Sequence, residues 1–416
     1  MVAPPIVHVP IREEIMAFSS VSRRHFVFGS AGLVASYALP GLGNAASNVA
    51  ARYVYAGTYT KGAPGGDSGA KSNGVYVLRV NPGDGALAVI QNLPSDNPSF
   101  LCLDPKQRYL FVAVETDDYD GEKQGAIEAY RIDPASGELT FLNRVGSKGA
   151  WPCHLETDPT GRFLVVANYG GANFVVAPIL KDGQLGAISD VHTNNGSGPN
   201  AQRQEAPHPH CVKFDRAGGH IAAADLGIDK VQVFRLATST GKLSLVDEAR
   251  VTQGAGPRHL SFHPNGRYLY VINELNATIT VFGYSNGKIG KEIQTISTVP
   301  ADFPAHKSTA EIMVHPSGKF LYGSNRKFED HPLADSIVGY SIDPSSGWLT
   351  LIEHTTRDIK FPRHFNIEPS GNWLYACNQK GDSIVQFSID PQTGQLNATG
   401  HAAPVPVPVS MAFKTK

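Results

Sequence analysis

The sequence predicts an all-β protein, a seven-bladed β-propeller with four antiparallel strands in each blade. Three observations carry this prediction. A strand motif that opens on a tight turn recurs along the chain at starts 48 to 57 residues apart, and a constant period of this length indicates a repeat architecture. Each copy is followed by a second, more polar repeat, so that each unit holds four candidate strands. Seven such units are typical of blades that surround a central channel. The six full copies of the motif start at Asp104, Asp158, Asp215, His263, His315 and Glu368.

The unit around His263 illustrates the four strands. HLSF from His259 is the first, RYLYVIN from Arg267 is the second, and the alternating run from Thr278 is the third. The turn Pro264 to Gly266 joins the first two as a tight hairpin, with glycine where a positive φ is needed. Second strands are almost continuously apolar, which indicates burial on both faces, whereas third strands alternate more.

The first unit begins at Tyr53 and has no inner strand before it. The C-terminal run Pro408 to Phe413 has the pattern of the missing strand. We therefore expect the C-terminal strand to close the ring, and its deletion to lower the melting temperature.

Composition fits one large domain, which we assign to residues 51–416. Of the 416 residues, 41% are hydrophobic and 18% are charged, and the formal net charge is -1. A balanced charge gives no reason to expect nucleic acid or an anionic membrane surface as a partner. We expect a monomer or weak oligomer whose partner is a small molecule.

The first 47 residues have the pattern of an export signal. Arg23 and Arg24 precede an uncharged stretch from Val27 to Gly43, and small residues follow at Ala45. The arginine pair resembles a twin-arginine signal, which predicts a periplasmic protein without stable membrane insertion after signal removal. A single membrane anchor is the alternative, and Met16 is a second candidate start. Such a route exports folded protein, in keeping with four scattered, reduced cysteines: Cys102, Cys153, Cys211 and Cys377.

Candidate functional residues lie where each hairpin opens and closes. The start of a first strand and the end of a second strand lie at the same end of a blade, and in the innermost position they surround one mouth of the channel. Buried histidines, arginines and carboxylates are costly without a purpose. The alternative is a solvated mouth whose charges pair with each other. First strands supply Ser99-Phe100, Cys153-His154, His210-Cys211, Arg258-His259, Ala310-Glu311 and Arg363-His364, and second strands end on Glu115, Tyr169, Asp225, Glu274, Arg326 and Gln379.

Three segments resemble the seven-bladed propeller lactonase family: PHPHCVKFD from Pro207, GPRHLSFHPNGRYLYVINE from Gly256, and the loop NNGSGPNAQRQEAPHPH from Asn194. That family includes propeller-type 6-phosphogluconolactonases and the eukaryotic 3-carboxy-cis,cis-muconate lactonizing enzymes. The resemblance extends from about Tyr53 to Phe413. By motif position it implies a catalytic set of His210, Arg258, Glu274 and Arg326.

The residue types suit lactone opening. Arg258 and Arg326 can stabilise a tetrahedral oxyanion or clamp a substrate carboxylate or phosphate. Either Glu274 or His210 can activate water, and the other can protonate the leaving alkoxide. The long loop from Asn194 to Ala206 either covers the mouth, with Arg203 and Gln204 reaching inward, or is an ordinary surface loop. Weaker candidates for substrate binding are His154, Arg203, Arg363, His364 and Gln379.

The sequence predicts no metal site and no cofactor. His208 and His210 are two apart on an extended stretch and would point to opposite faces. There is no Gly-x-Ser-x-Gly nucleophile motif and no phosphate-binding glycine loop before a helix. Three functions remain: a sugar-acid lactonase of the 6-phosphogluconolactonase kind, a carboxymuconate lactonizing enzyme, and a propeller that binds a ligand or protein without catalysis.

Overall fold

The structure is a computed structural model that describes residues 51–62, 72–300, 303, 308–326 and 335–415. The expected export signal, residues 1–47, lies outside the described residues. Within them, the search for a helix long and apolar enough to cross a membrane finds none.

The described residues form 28 strands and one 3₁₀ helix, Leu226–Ile228. The first fifteen strands are β1 Tyr53–Thr58, β2 Gly74–Val80, β3 Leu87–Pro94, β4 Pro98–Leu103, β5 Tyr109–Val114, β6 Ala126–Ile132, β7 Leu139–Gly146, β8 Pro152–Thr157, β9 Phe163–Asn168, β10 Asn173–Pro178, β11 Asp190–Thr193, β12 Pro209–Phe214, β13 Ile221–Asp225, β14 Lys230–Ala237 and β15 Lys242–Arg250. The others are β16 Pro257–Phe262, β17 Tyr268–Asn273, β18 Thr278–Ser285, β19 Lys288–Ser297, β20 Thr309–Val314, β21 Phe320–Asn325, β22 Ser336–Ile342, β23 Leu349–Thr355, β24 Pro362–Ile367, β25 Trp373–Asn378, β26 Ser383–Ile389, β27 Leu396–Pro404 and β28 Pro408–Lys414.

These strands form seven four-stranded antiparallel sheets, which are the blades of a β-propeller, so the predicted fold is confirmed. Blade 1 has the order β28-β1-β2-β3, and blades 2 to 7 each take the next four strands in sequence. The innermost strands contact one another around a closed ring, in which β28 lies between β24 and β4.

The predicted ring closure is also confirmed. β28 pairs antiparallel with β1 from Tyr53↔Lys414 to Thr58↔Pro408, so the C-terminal strand is the inner strand of the first blade. The chain thereby joins its two described ends in one sheet, and blade 1 has four strands like the other blades.

The turn that opens each motif copy is stabilised by its first side chain. Asp158 Oδ1 accepts hydrogen bonds from the backbone N–H groups of Arg162 and Phe163, both at 2.7 Å. Gly266 adopts a φ of 73° at the predicted position, and in the one copy without this glycine Gln107 takes a φ of 55°. Short polar residues at the head of the motif therefore satisfy turn donors, as in Asx turns.

Blades pack through apolar faces, and a repeated tyrosine adds a hydrogen bond between neighbours. Second strands such as β17 are buried along their whole length, as their apolar sequences predict, whereas fourth strands such as β15 are largely exposed. Tyr270 Oη donates to the Gly347 carbonyl of the next blade at 3.1 Å, and Tyr375 Oη donates to Gly85 across the ring closure at 2.7 Å.

Candidate active site

A backbone irregularity at the start of the inner strands prepares the site. In blade 5, Pro257 pairs with Asn273 and His259 pairs with Ile272, so that Arg258 is left out of the ladder. Such a bulge re-aims side chains, which lets two consecutive residues of one strand contribute to the interior. The same register shift leaves out Ser99, Cys153, His210 and Arg363 in blades 2, 3, 4 and 7.

Glu274 lies at the centre of an arginine cluster. Its Oε2 lies 3.0 Å from Arg258 Nε and 3.0 Å from Arg326 Nη2, and its Oε1 accepts a hydrogen bond from Arg203 Nη2 at 2.7 Å. Glu274, Arg258 and Arg326 are each at most 4% exposed. The structure thus brings together three of the four residues that the resemblance implies, from the ends of β17 and β21 and the start of β16.

This cluster holds more positive than negative charge, since three guanidinium groups contact one carboxylate. Burial raises the pKa of Glu274, but Arg326, Arg203 and Arg258 outweigh burial and hold that pKa well below its ordinary value. Burial is the main cause that lowers the pKa of Arg258 and of Arg326, and Glu274 raises both. Arg363 lowers the pKa of Arg258 further, and several arginines lower that of Arg326. One carboxylate therefore does not neutralise the guanidinium groups around it.

Arg258 and Arg326 are held in fixed orientations by backbone oxygens. Arg258 Nη1 donates to the Ala310 carbonyl at 2.7 Å, and Arg326 Nη2 donates to the Thr309 carbonyl at 2.8 Å and to Ser308 Oγ at 3.1 Å. Two buried guanidinium groups that converge on one oxygen and cannot rotate freely are preorganised for a developing negative charge.

The loop before β12 contributes Arg203 to this cluster. This agrees with the prediction that the loop covers the mouth of the channel with Arg203 reaching inward. Gln204 does not reach the channel: its Nε2 donates to the Leu226 carbonyl and to Asp229 Oδ1, both at 2.8 Å. Asp225, at the end of β13, also has an anchoring role, because it accepts from the His208 and Gly227 backbone N–H groups. These hydrogen bonds anchor the loop to the 3₁₀ helix and its flanking residues.

His210 is buried beside the arginine cluster and its Nδ1 has no hydrogen-bond partner among the described residues. Its ring lies edge-on to Tyr169 at 5.7 Å and to His259 at 5.1 Å between centroids. Burial lowers the pKa of His210 well below its ordinary value, and Arg258, His259 and Arg363 lower it further. The imidazole is therefore neutral at pH 7, with one nitrogen available to a ligand or a proton.

Arg363 lies in a second, more neutral group. Its Nη2 is 3.9 Å from Glu115 Oε1, and its guanidinium carbon lies 5.1 Å from the centroid of the Tyr59 ring. Tyr59 Oη donates to Glu115 Oε2 at 2.8 Å. A small pocket joins this group to the first, lined by Ser99, Phe100, Glu115, Cys153, Arg258, His259, Arg363, His364 and Val409. Gln379 is buried at the end of β25, with no hydrogen-bond partner for its Oε1 among the described residues.

One position further along the inner strands lies a ring of imidazoles that sequence reasoning only partly anticipates. Glu311 contacts two of these imidazoles. His259 Nδ1 lies 3.0 Å from Glu311 Oε1, and His364 Nε2 lies 3.3 Å from Glu311 Oε2. His154 stacks on Phe100, with ring centroids 4.0 Å apart. Burial raises the pKa of Glu311, which His364 offsets only in part. Of these residues, only His154 and His364 are among the predicted substrate-binding residues. The bulge that turns two consecutive residues of each strand inward has no pattern in the sequence.

The site can be compared with known proteins. The family described as "Lactonase, 7-bladed beta-propeller" matches residues 53–413. A 6-phosphogluconolactonase of Bacillus subtilis (strain 168) is 33% identical over 362 residues, which are 86% of this chain and 97% of that protein.

Two solved structures are similar over nearly their whole length. A putative 6-phosphogluconolactonase from Bacteroides fragilis superposes with a TM-score of 0.79 at 32% identity, covering 88% of this chain and 99% of that chain. The periplasmic gluconolactonase of Pseudomonas aeruginosa gives a TM-score of 0.78 at 31% identity, covering 87% and 98%. The match to the family extends over all seven blades, and the chain belongs to the seven-bladed β-propeller lactonase family.

Proposed function

We propose that this protein is a lactonase that hydrolyses a sugar-acid lactone, in the manner of 6-phosphogluconolactonase, at the Glu274 cluster. The observation that carries the proposal is that one buried carboxylate contacts three guanidinium groups, at 2.7 to 3.0 Å. Unneutralised buried cations that converge on one place favour an anionic ligand or an oxyanion. The names of the relatives support lactone hydrolysis as the reaction.

Arg258 and Arg326 supply the electrostatic part of the mechanism. Water attacks the lactone carbonyl carbon, the new C–O bond forms, and the carbonyl oxygen becomes an oxyanion that the two guanidinium groups stabilise. Collapse of this intermediate breaks the ring C–O bond and gives the hydroxy acid. A fixed donor to such an oxyanion contributes on the order of 10²- to 10³-fold in kcat.

His210 is the proposed proton carrier. Its neutral imidazole, with Nδ1 unpartnered among the described residues, accepts the proton of the attacking water and returns it to the leaving alkoxide. Glu274 is the poorer base of the two candidates, because both of its carboxylate oxygens already contact guanidinium groups. Its proposed role is to compensate part of the positive charge of Arg203, Arg258 and Arg326.

Two substrates are consistent with this site. A 6-phosphate on the lactone would bind to the excess arginine charge, as the name of the Bacillus subtilis relative suggests. An unphosphorylated gluconolactone is favoured by the export signal that residues 22–27 predict and by the periplasmic gluconolactonase of Pseudomonas aeruginosa. We propose export to the periplasm by the twin-arginine route together with this second substrate class.

The experiment is an assay of acid release from glucono-δ-lactone and from its 6-phosphate, measured above the uncatalysed rate. We expect turnover by the wild type and a loss of about 10²- to 10⁴-fold in kcat for His210→Ala. His401→Ala is the matched control, because His401 is 42% exposed on the outer strand β27 and should leave turnover unchanged.

Absence of wild-type turnover on both lactones would contradict the proposal. Conversion of a carboxymuconate by the same preparation would favour the lactonizing alternative. An undiminished rate for His210→Ala would contradict the proton role of that residue while leaving the reaction intact.

A further inference from the structure

Three potential metal ligands from three neighbouring blades meet in the ring beyond the arginine cluster. His154 pairs with Ala167 in blade 3, Cys211 with Ala224 in blade 4 and His259 with Ile272 in blade 5, which are equivalent positions of the three inner hairpins. One ligand atom from each of the three residues lies within 4.8 Å of the other two, and all three side chains are buried. Sequence spacing cannot show this set, since its successive members are 57 and 48 residues apart.

A second observation concerns the orientation of His259. Its Nδ1 lies 3.0 Å from both carboxylate oxygens of Glu311, so the carboxylate accepts the ring proton at that nitrogen. This leaves Nε2 deprotonated in the neutral ring, and Nε2 is buried with no hydrogen-bond partner among the described residues. A carboxylate behind one ring nitrogen is the usual way in which proteins orient and strengthen a metal-ligating histidine.

The pair His154 and Cys211 supplies the other two ligand atoms. Cys211 Sγ lies 3.6 Å from His154 Nε2, which is a weak contact, and the Val212 backbone N–H reaches His154 Nδ1 only at 3.4 Å. A cation between Nε2 and Sγ replaces the hydrogen there. The thiol proton leaves to solvent, the single ring proton moves from Nε2 to Nδ1, and the long contact in which the Val212 N–H donates to Nδ1 is given up.

We propose that His154, Cys211 and His259 form a binding site for Zn²⁺ that joins the inner strands of blades 3, 4 and 5. One thiolate and two imidazoles are a ligand set that suits Zn²⁺, and three protein ligands leave one tetrahedral position for water or another donor.

The charges of the ligand set support Zn²⁺ as the bound ion. The Cys211 thiolate and the Glu311 carboxylate together match the double charge of Zn²⁺. A univalent or oxygen-seeking cation would lack either this balance or suitable ligands. The site does not depend on lactone hydrolysis, because the proposed reaction uses His210 and the arginines.

The test uses the full chain after removal of metal with a chelator. Titration calorimetry with ZnCl₂ should give one Zn²⁺ per chain, and Zn²⁺ should raise the melting temperature because it binds the folded state. Co²⁺ should produce a thiolate charge-transfer band, which reports the sulfur ligand directly.

Variants assign the ligands. Cys211→Ser should abolish the Co²⁺ band, and Glu311→Gln should weaken Zn²⁺ binding by about 10- to 100-fold while retaining the band. Cys153→Ser is the matched control, since Cys153 precedes His154 and its Sγ faces the carbonyl oxygens of Ala167, Pro209 and His210. It should keep both the stoichiometry and the band.

Less than one bound Zn²⁺ in ten wild-type chains, or a Co²⁺ band that survives Cys211→Ser, would overturn the proposal. Should Cys211→Ser fail to fold, as judged by circular dichroism, the decision passes to Glu311→Gln: unchanged Zn²⁺ affinity in that variant would equally overturn the proposed site. No readout requires lactone turnover, so failure here is distinguishable from failure of the proposed function.

Discussion

Glu274 and Glu311 are two buried carboxylates at the inner strands of neighbouring blades, each 4% exposed, and they have opposite electrostatic surroundings. Glu274 contacts three guanidinium groups, whereas Glu311 contacts the imidazoles of His259 and His364. The arginines hold the pKa of Glu274 well below its ordinary value against the effect of burial, while burial raises the pKa of Glu311.

The difference shows that excess positive charge lies around Glu274. Three guanidinium groups share the one carboxylate of Glu274, and burial is the main cause that lowers the pKa of Arg258 and of Arg326. The surroundings of Glu274 therefore favour a further anion. Glu311 contacts neutral imidazoles, and it orients the rings of these histidines.

The largest expected effect is on folding stability. Glu274→Gln leaves three guanidinium groups without their counter-charge, and loss of one partner of a buried ion pair costs about 3–5 kcal/mol. Glu311→Gln removes a charge whose contacts are imidazoles, and we expect a loss of about 1 kcal/mol, that of one hydrogen bond. Chemical denaturation of the metal-free proteins measures both.

Inorganic phosphate provides the control for this pair. It should stabilise Glu274→Gln more than the wild type, because it can take the place of the missing carboxylate among the arginines. Equal losses of unfolding free energy in the two variants would remove the distinction between the carboxylates.

Much of the fold could be predicted from the sequence, because the repeat imposes it. The period of the motif, the turn glycine at Gly266 and the unpaired strand at Tyr53 together predicted seven blades and closure by β28, and both are present. The site was predictable only in part. Arg258, Glu274 and Arg326 follow from their places at hairpin ends, and they do meet.

Other parts of the site depend on features without a sequence pattern. The bulge at the start of each of these inner strands brings a second residue inward, which is why Glu311 and the group of His154, Cys211 and His259 were not foreseen as units. The inward course of Arg203 depends on the anchoring of Gln204 by the 3₁₀ helix, a long-range contact between residues of different segments.

The next effect concerns acid pH. The folded-state pKa of Glu274 lies below its unfolded value of about 4.3, so its contribution is present above that pH and is lost as pH falls toward the folded pKa. The difference in unfolding free energy between the wild type and Glu274→Gln should shrink by about 1.4 kcal/mol per unit below pH 4. Denaturation curves from pH 6 to pH 3 measure it, and a constant difference would contradict the assignment.

The smallest effect is expected at Arg203. Its side chain is 36% exposed, so solvent screens its ion pair with Glu274, and Arg203→Met should lower the unfolding free energy by at most about 1 kcal/mol. Gln202→Met is the control at the exposed neighbouring position and should have no effect. A loss at Arg203 as large as that at Glu274 would mean that the loop, and not the buried pair, holds the cluster together.

The central claim is that the Glu274 cluster holds excess positive charge for the oxyanion and for the carboxylate of the product, and titration calorimetry with gluconate, with 6-phosphogluconate alongside, tests it most directly. We predict that Arg326→Met weakens binding by about tenfold or more, whereas Glu274→Gln strengthens it, because the carboxylate competes with the ligand for the same arginines. Weakening of similar size in both variants, each with a wild-type circular dichroism spectrum, would contradict the claim.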